Sequence, residues 1–280
     1  MSDWAVGLST GCFYRTDIFD CLEPIRNAGF GLIEICSHPD HLDYHDHDRV
    51  RAATEYIDTL GLEPFSFHAP FASHIDITST NSQQRREARE ELLRAAEAAA
   101  LLGVRYFVIH PGPEESNLPE HERLQRMHNA AEVLDIVSQE CRQRNVRLVL
   151  ENMLPHLFSG HVRDLLWMLG AMKSIDIGVC LDTGHAHLSG DLLTVAHKLS
   201  GHLRMVHASD NRSDRDDHLP PGDGDIDWHQ FIDQLDRLRF DGTIMLEIAG
   251  KPSGDPNEVL DGARRARRYL RDISRRLPDH

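Results

Sequence analysis

Residues 147–185 read RLVLENMLPHLFSGHVRDLLWMLGAMKSIDIGVCLDTGH, and the order of their apolar runs decides the fold. A short run, Arg147 to Glu151, ends on a carboxylate. A segment of helical period, Val162 to Leu169, follows and closes at Gly170. A second run, Ile177 to Leu181, leads into Asp182, with His185 just beyond it. Strand, helix and strand in this order, joined by short connections, form the βα unit of a parallel sheet.

The same unit recurs on both sides. Strands are expected near Ala5 to Ser9, Leu32 to Cys36, Pro64 to His68, Tyr106 to His110, Leu203 to His207 and Thr243 to Glu247. The remaining helices are expected over Ile18 to Ala28, Asp48 to Leu60, Arg85 to Leu102, His121 to Arg144, Leu192 to Leu199, Trp228 to Leu238 and Pro256 to Arg275. Gly29, Gly61, Gly103 and Gly170 stand where a left-handed C-cap ends a helix. Eight such units predict a (β/α)8 TIM barrel, a single domain over residues 1–280. A chain of 280 residues, 40% of them hydrophobic, can bury one large core, and no Pro-, Ser- or Gly-rich linker divides it.

Charge narrows the partners. The formal net charge of -15 repels a phosphate backbone, so nucleic-acid binding is not expected. The arginines Arg264, Arg265, Arg267, Arg268, Arg271, Arg275 and Arg276 read as the solvated face of the last helix. Five cysteines, Cys12, Cys21, Cys36, Cys141 and Cys180, form no C-x-x-C pair, and the stretch MSDWAVGLST has no basic segment leading into a long apolar one. Those features predict a reduced, cytoplasmic setting, and no run is long and apolar enough to predict a membrane span. A homodimer through the outer helices is compatible with the sequence but unmarked in it.

Six of the apolar runs end at a metal-ligand side chain: FSFHAP at His68, YFVIHPG at His110, LVLEN at Glu151, GVCLDTGH at Asp182 with His185, MVHASD at His207 and IMLEI at Glu247. Carboxylates and histidines end many ordinary strands, and it is the recurrence that points to one composite site at the mouth of a barrel. Imidazole with carboxylate suits Zn²⁺, Mn²⁺, Fe²⁺ or Co²⁺, whereas an all-oxygen set would suggest Mg²⁺ or Ca²⁺. Glu151 and Glu247, facing each other across such an ion, are the pair needed to remove a proton from one face of a carbon and return it on the other. The DDH step at Asp216 and His218, in the long loop after the seventh strand, is either a further pair of ligands or part of a solvated acidic loop. In the GDGDIDW segment, Asp225 or Asp227 is expected to cap a helix while Trp228 packs inward.

The ordered set HAPF, HPG, LEN, LDTGH, HASD, DDHLPPGDGDIDW and LEI resembles the xylose isomerase-like TIM barrel superfamily. That group joins sugar isomerases and epimerases with the zinc-dependent apurinic/apyrimidinic endonucleases, AP endonuclease family 2. Similarity to the endonuclease branch implies a zinc ion held by His68, His110 and Glu151. It implies a second among Glu151, Asp182, His207 and Glu247, and a third among His185, Asp216 and His218. Similarity to the epimerase branch implies a single divalent ion on Glu151, Asp182, His207 and Glu247. In that branch the two glutamates act as acid and base, and His185 contacts a substrate oxygen. The loops TGCFYRTDIFD and CSHPDHLDYHDHD are acidic and His-rich, without the basic and wedge-forming residues that grip a duplex, and fit a small polyol better.

Two chemistries therefore stand, served by one to three ions of zinc or manganese. In the first, a ketose or its phosphate loses a proton to Glu151 or Glu247, and reprotonation of a metal-stabilised enediolate yields an epimer or isomer. In the second, clustered ions activate a water that attacks a phosphate ester. Acidity and loop composition favour the first. Phe13 and Phe71 are candidate pocket walls, and Trp4 is expected to pack. Glu34 is either a substrate contact or a polar group bonded within the barrel. His38, His41, His45 and His47 read as surface loop residues despite their metal-like spacing. No G-x-G-x-x-G or P-loop sequence supports a nucleotide cofactor.

Overall fold

Short strands rich in Val, Ile, Leu and Phe can be buried on both faces, and parallel pairing with helical crossovers buries them. The structure is a computed structural model describing residues 4–115, 119–249 and 256–276; the expected domain bounds, 1 and 280, lie outside the described residues. Eight parallel strands close in chain order: β1 (Val6–Ser9), β2 (Leu32–Cys36), β3 (Glu63–His68), β4 (Tyr106–Ile109), β5 (Arg147–Glu151), β6 (Gly178–Asp182), β7 (Leu203–Ala208) and β8 (Thr243–Leu246). The ring shuts where β1 meets β8, with Val6 opposite Ile244 and Leu8 opposite Leu246. Around it run α1 (Ile18–Asn27), α2 (His47–Thr59), α3 (Ser82–Leu101), α4 (Arg123–Gln143), α5 (Val162–Ala171), α6 (Thr183–Leu188), α7 (Leu192–Leu199), α8 (Trp228–Arg237) and α9 (Pro256–Ser274). The result is a (β/α)8 TIM barrel.

Side chains alternate along each strand, and this alternation sets the site. Val108, Val149, Cys180, Met205 and Met245 join Phe65 and Tyr106 in a cluster that fills the barrel. Leu148, Leu150, Val179, Leu181, Val206, Ile244 and Leu246 belong instead to the larger core between strands and helices. Two residues beyond each of the five barrel-filling side chains named first stands His110, Glu151, Asp182, His207 or Glu247. One apolar layer therefore plugs the barrel directly beneath the ligands.

Most helix ends follow local chemistry. Gly29, Gly61 and Gly103 adopt positive φ of 84°, 62° and 70° just past α1, α2 and α3, and Asn145, which also tolerates the left-handed region, does so after α4 at 63°. Gly170 departs from expectation. It lies inside α5, which ends at Ala171 where Met172 turns extended (φ -69°, ψ 145°). The expected start of α3 at Arg85 moves to Ser82, because the Asn81 side chain accepts from Gln83 N and Gln84 N. A 3-10 turn, Glu120–Glu122, precedes α4 where a longer helix was expected. The arginines of α9 are partly occupied: Arg265 pairs with Asp223 at 2.7 Å, and Arg267 covers the Phe30 ring at 4.2 Å. Among the described residues, no helix is long and apolar enough to cross a membrane.

Candidate metal centre and active site

Strand ends β5 to β8 bring Glu151, Asp182, His207 and Glu247 together, with one donor atom of each lying within 4.8 Å of the others. The first three are almost wholly buried. His68, at the end of β3, joins Glu151 and His207 in a second group, and His185, Asp216 and His218 form a third. Glu151 is the hub. Its Oε2 lies 3.2 Å from both His68 Nε2 and His110 Nε2, and its Oε1 lies 3.3 Å from His207 Nδ1. His110 reaches the hub but belongs to none of the three groups.

Hydrogen bonds fix the tautomers. A carbonyl oxygen only accepts, so the ring nitrogen facing one carries the proton. His68 Nδ1 faces Ala69 O at 3.1 Å, His185 Nδ1 faces Asn152 O at 2.8 Å, and His218 Nδ1 faces Glu247 O at 3.0 Å. Rings held this way turn Nε2 toward carboxylates: His68 toward Glu151, and His185 and His218 toward Asp216 at 3.3 and 3.0 Å. His207 has a carboxylate at each nitrogen, its Nε2 lying 3.0 Å from Glu34 Oε2 and its Nδ1 3.0 Å from Glu247 Oε2. A ring nitrogen facing a carboxylate calls for a cation between them, a proton or a metal ion. The buried atoms His207 Nδ1, Asp182 Oδ2, Asp216 Oδ1 and both ring nitrogens of His110 also lack hydrogen-bond partners. A donor set of this kind, with second partners orienting each imidazole, fits a divalent metal with nitrogen and oxygen ligands.

The electrostatics agree. Burial pushes Glu151 up, but the charges of His207 and His110 outweigh it and hold the carboxyl well below the usual range. Glu247 is pulled down to about 2, where burial is again overcome, chiefly by His207. Asp182 moves oppositely, to about 6, because burial outweighs the attraction of His185. Burial disfavours a charged ring at His68 and His185, yet Glu151 raises the first to about 9 and Asp182 with Asp216 raises the second to about 10. Burial prevails at His110, which is lowered. In the metal-free protein, protons on His68 and His185 supply the positive charge that the carboxylates require.

The third group depends on a long loop. Asp210 holds that loop by pairing with Leu219 across an antiparallel bridge and accepting from Gly222 N, Ile226 N and Trp228 Nε1 at 2.9, 3.1 and 2.8 Å. Asp227 caps α8 and Trp228 is buried. His218 sits at φ 45°, in the left-handed region that is costly for a side-chain-bearing residue. Asn152, which the sequence reading passed over, braces two candidate ligands. Its Nδ2 donates to Asp182 O at 3.0 Å, its Oδ1 accepts from Asp182 N at 2.8 Å, and its carbonyl takes the His185 proton. Gly184 is required for close approach, since a Cβ there would lie 2.7 Å from Ser209 Oγ.

A cavity of about 550 Å³ opens above the ligands and is lined by Glu247, His68 and His110. Phe71 walls it, its ring edge-on to His110 at 4.2 Å. Phe13 does not line it. The 3-10 turn Thr10–Phe13 folds that ring into the core and presents its neighbour Tyr14, 42% exposed, instead. Glu34 does not line the cavity either. It is 0% exposed beneath the ligands, accepting from Ser9 Oγ, Ser66 Oγ and His207 Nε2. Among the four loop histidines, His41 is buried between Thr16 O and Thr10 Oγ1, whereas His38 and His45 reach the cavity with Tyr44 and Glu91. Their polar, aperiodic loop carried no sequence signal for this beyond its length. Trp4 packs, donating to Phe240 O at 2.7 Å. Burial pushes the Cys36 thiol up to about 12 and that of Cys12 further, which keeps both as thiols.

The xylose isomerase-like TIM barrel family model matches residues 22–273. An uncharacterized protein of Methanocaldococcus jannaschii is 28% identical over 255 residues, 88% of this chain and 84% of that protein. A probable endonuclease 4 of Mycobacterium ulcerans is 29% identical over 174 residues, 59% of this chain and 65% of the relative. The solved structure of a D-tagatose 3-epimerase-like protein superposes with a TM-score of 0.83 at 24% identity, covering 96% of each chain, a likeness of fold. With its closed barrel and a family match spanning almost every βα unit, this chain belongs to the xylose isomerase-like TIM barrel family.

Proposed function

We propose that the protein is a divalent-metal-dependent isomerase or epimerase of a sugar or sugar phosphate. The observation that carries this reading is the convergence of Glu151, Asp182, His207 and Glu247 within 4.8 Å, with Glu247 lining a sugar-sized cavity. Those four residues would hold the ion, zinc or manganese by donor type. When bound, such an ion polarises a ketone and acidifies the adjacent C–H. The residues of the chain do the rest. Both glutamates are ionised at neutral pH and thus stand ready as bases. Glu247, which lines the cavity, takes the proton as the C–H electron pair passes into the enediolate. Glu151 serves the opposite face, passing to carbon a proton drawn from His68, whose Nε2 lies 3.2 Å from its Oε2, while Glu247 releases the abstracted proton to solvent. Phe71 and the surrounding apolar wall keep bulk water from the intermediate. The fold likeness to a D-tagatose 3-epimerase-like protein supports this reading.

A second reading is kept by one observation, the group His185, Asp216 and His218, which offers a further ligand set. With His68 and His110 also occupied, the centre would be multinuclear, as suits a phosphoesterase acting through a hydroxide nucleophile, and the partial likeness to a probable endonuclease 4 supports it. Among the described residues, the cavity lining contains no Lys or Arg to meet a nucleic-acid backbone. Metal content per chain, measured together with ketose epimerisation and phosphoester hydrolysis, separates the two. One ion dependent on Glu151 and Glu247, with epimerisation surviving His110→Ala and Asp216→Ala, supports the epimerase. Two or three ions and hydrolysis lost on either change overturn it.

A further inference from the structure

The cavity has a second polar wall that the proton transfer leaves unused. Tyr44 and His45, in the loop after β2, meet Glu91 of α3 along the same cavity that Glu247 lines. The Tyr44 hydroxyl donates to Glu91 Oε1, and His45 Nε2 lies 2.7 Å from that same oxygen. His45 Nδ1 lies 3.0 Å from Asp43 Oδ1, and the Tyr44 and His45 rings stack at 4.3 Å. Arg94 reaches Glu91 Oε2 at 3.0 Å but does not line the cavity. The Glu91 carboxylate is thus held from several sides and keeps spare lone pairs, while the Tyr44 oxygen still accepts. Such a wall can bind hydroxyls, which both donate and accept. It is unsuited to a phosphate dianion, for which charged N–H donors are the usual partners. Among the described residues lining the cavity none is Lys or Arg, and Glu91 and Glu247 are both acidic.

We infer that Tyr44, His45 and Glu91 form the specificity wall for the hydroxyls at the non-reacting end of an uncharged ketose or polyol, and that the wall excludes phosphate esters. The inference rests on the proposed function in placing the reacting end at Glu247.

The test is calorimetric titration of the metal-loaded protein with a set of ketohexoses, with the phosphate esters of the best binder, and with the ketotetrose erythrulose, which lacks the distal hydroxyls. Turnover is followed in parallel. The free ketohexose should bind roughly tenfold or more tightly than its esters, and Glu91→Gln and His45→Ala should each weaken it roughly tenfold more than they weaken erythrulose. Lys251 lies outside the described residues, so Lys251→Ala is measured beside the wild type. An ester that outcompetes its parent sugar overturns the exclusion, whether or not that advantage survives Lys251→Ala. Equal losses for long and short ketoses, or no ketose binding at all, overturn the wall. Thermal melts confirm folding, and His45→Ala carries the test if Glu91→Gln does not fold. Ketose binding that depends on Glu91 without turnover would remove the proposed reaction and leave the wall. Turnover with a preference for esters would do the reverse.

Discussion

His207 Nε2 and Glu34 Oε2 lie 3.0 Å apart, and neither side chain is exposed to solvent. That bond selects the tautomer that leaves His207 Nδ1 for the metal centre. Removing such an orienting partner lowers metal affinity about 10- to 100-fold. Glu34→Gln should weaken zinc binding in chelator competition by that order, without touching any ligand. Unchanged affinity would mean that the barrel alone fixes the imidazole.

Glu247 and Glu151 carry the proposed proton transfer. Replacing either by Gln keeps the shape but removes the base, which lowers kcat about 10²- to 10⁴-fold. Exchange of substrate hydrogen with deuterated solvent should fall in step in Glu247→Gln. Undiminished exchange in that variant would assign the base elsewhere.

Metal binding should release protons. In the metal-free protein His207, the one imidazole among the four proposed ligands, is held well above the ordinary 6.5, where burial is outweighed by Cys180, Glu34, Glu151 and Glu247 together. A ligand nitrogen cannot hold both proton and metal, so apparent affinity rises with pH and falls as the solution is acidified. Stability of the metal-free protein runs the opposite way, through His68 and His185. The raised folded-state values contribute stability that is fully present below about 6.5 and lost as pH climbs through 9 and 10, so the melting temperature of the metal-free protein should decline over that window. Calorimetry in buffers of different ionisation enthalpy counts the protons, and none released would contradict a protonated His207.

Asp210 organises the loop that carries Asp216 and His218. Asp210→Ala leaves Gly222 N, Ile226 N and Trp228 Nε1 without their acceptor. Each buried donor left unpaired costs about 1–3 kcal/mol, so a loss of several kcal/mol is expected in urea unfolding. Any metal held by His185, Asp216 and His218 should weaken with it. A variant as stable as the wild type would show that water replaces the carboxylate.

The alternation of short apolar runs such as LVLE, VCLD, MVH and IMLE with segments of helical period was enough, without coordinates, to set the strands, their parallel order and the ends at which candidate ligands stand. A short buried strand must alternate its faces, and a ligand two residues beyond Val149, Cys180, Met205 or Met245 must therefore share the barrel's interior with it. Residues without a periodic neighbour could not be assigned this way. Glu34 and Glu247 both lie on or just past short apolar strands, yet one is sealed beneath His207 and the other lines the cavity, a difference set by depth in the barrel. Phe13, expected to wall the pocket, turns inward on a 3-10 turn, and Tyr14 lines the cavity instead. Tyr44, His45 and Glu91 meet across 47 residues of chain through loop closure against α3, a long-range contact that no local spacing encodes.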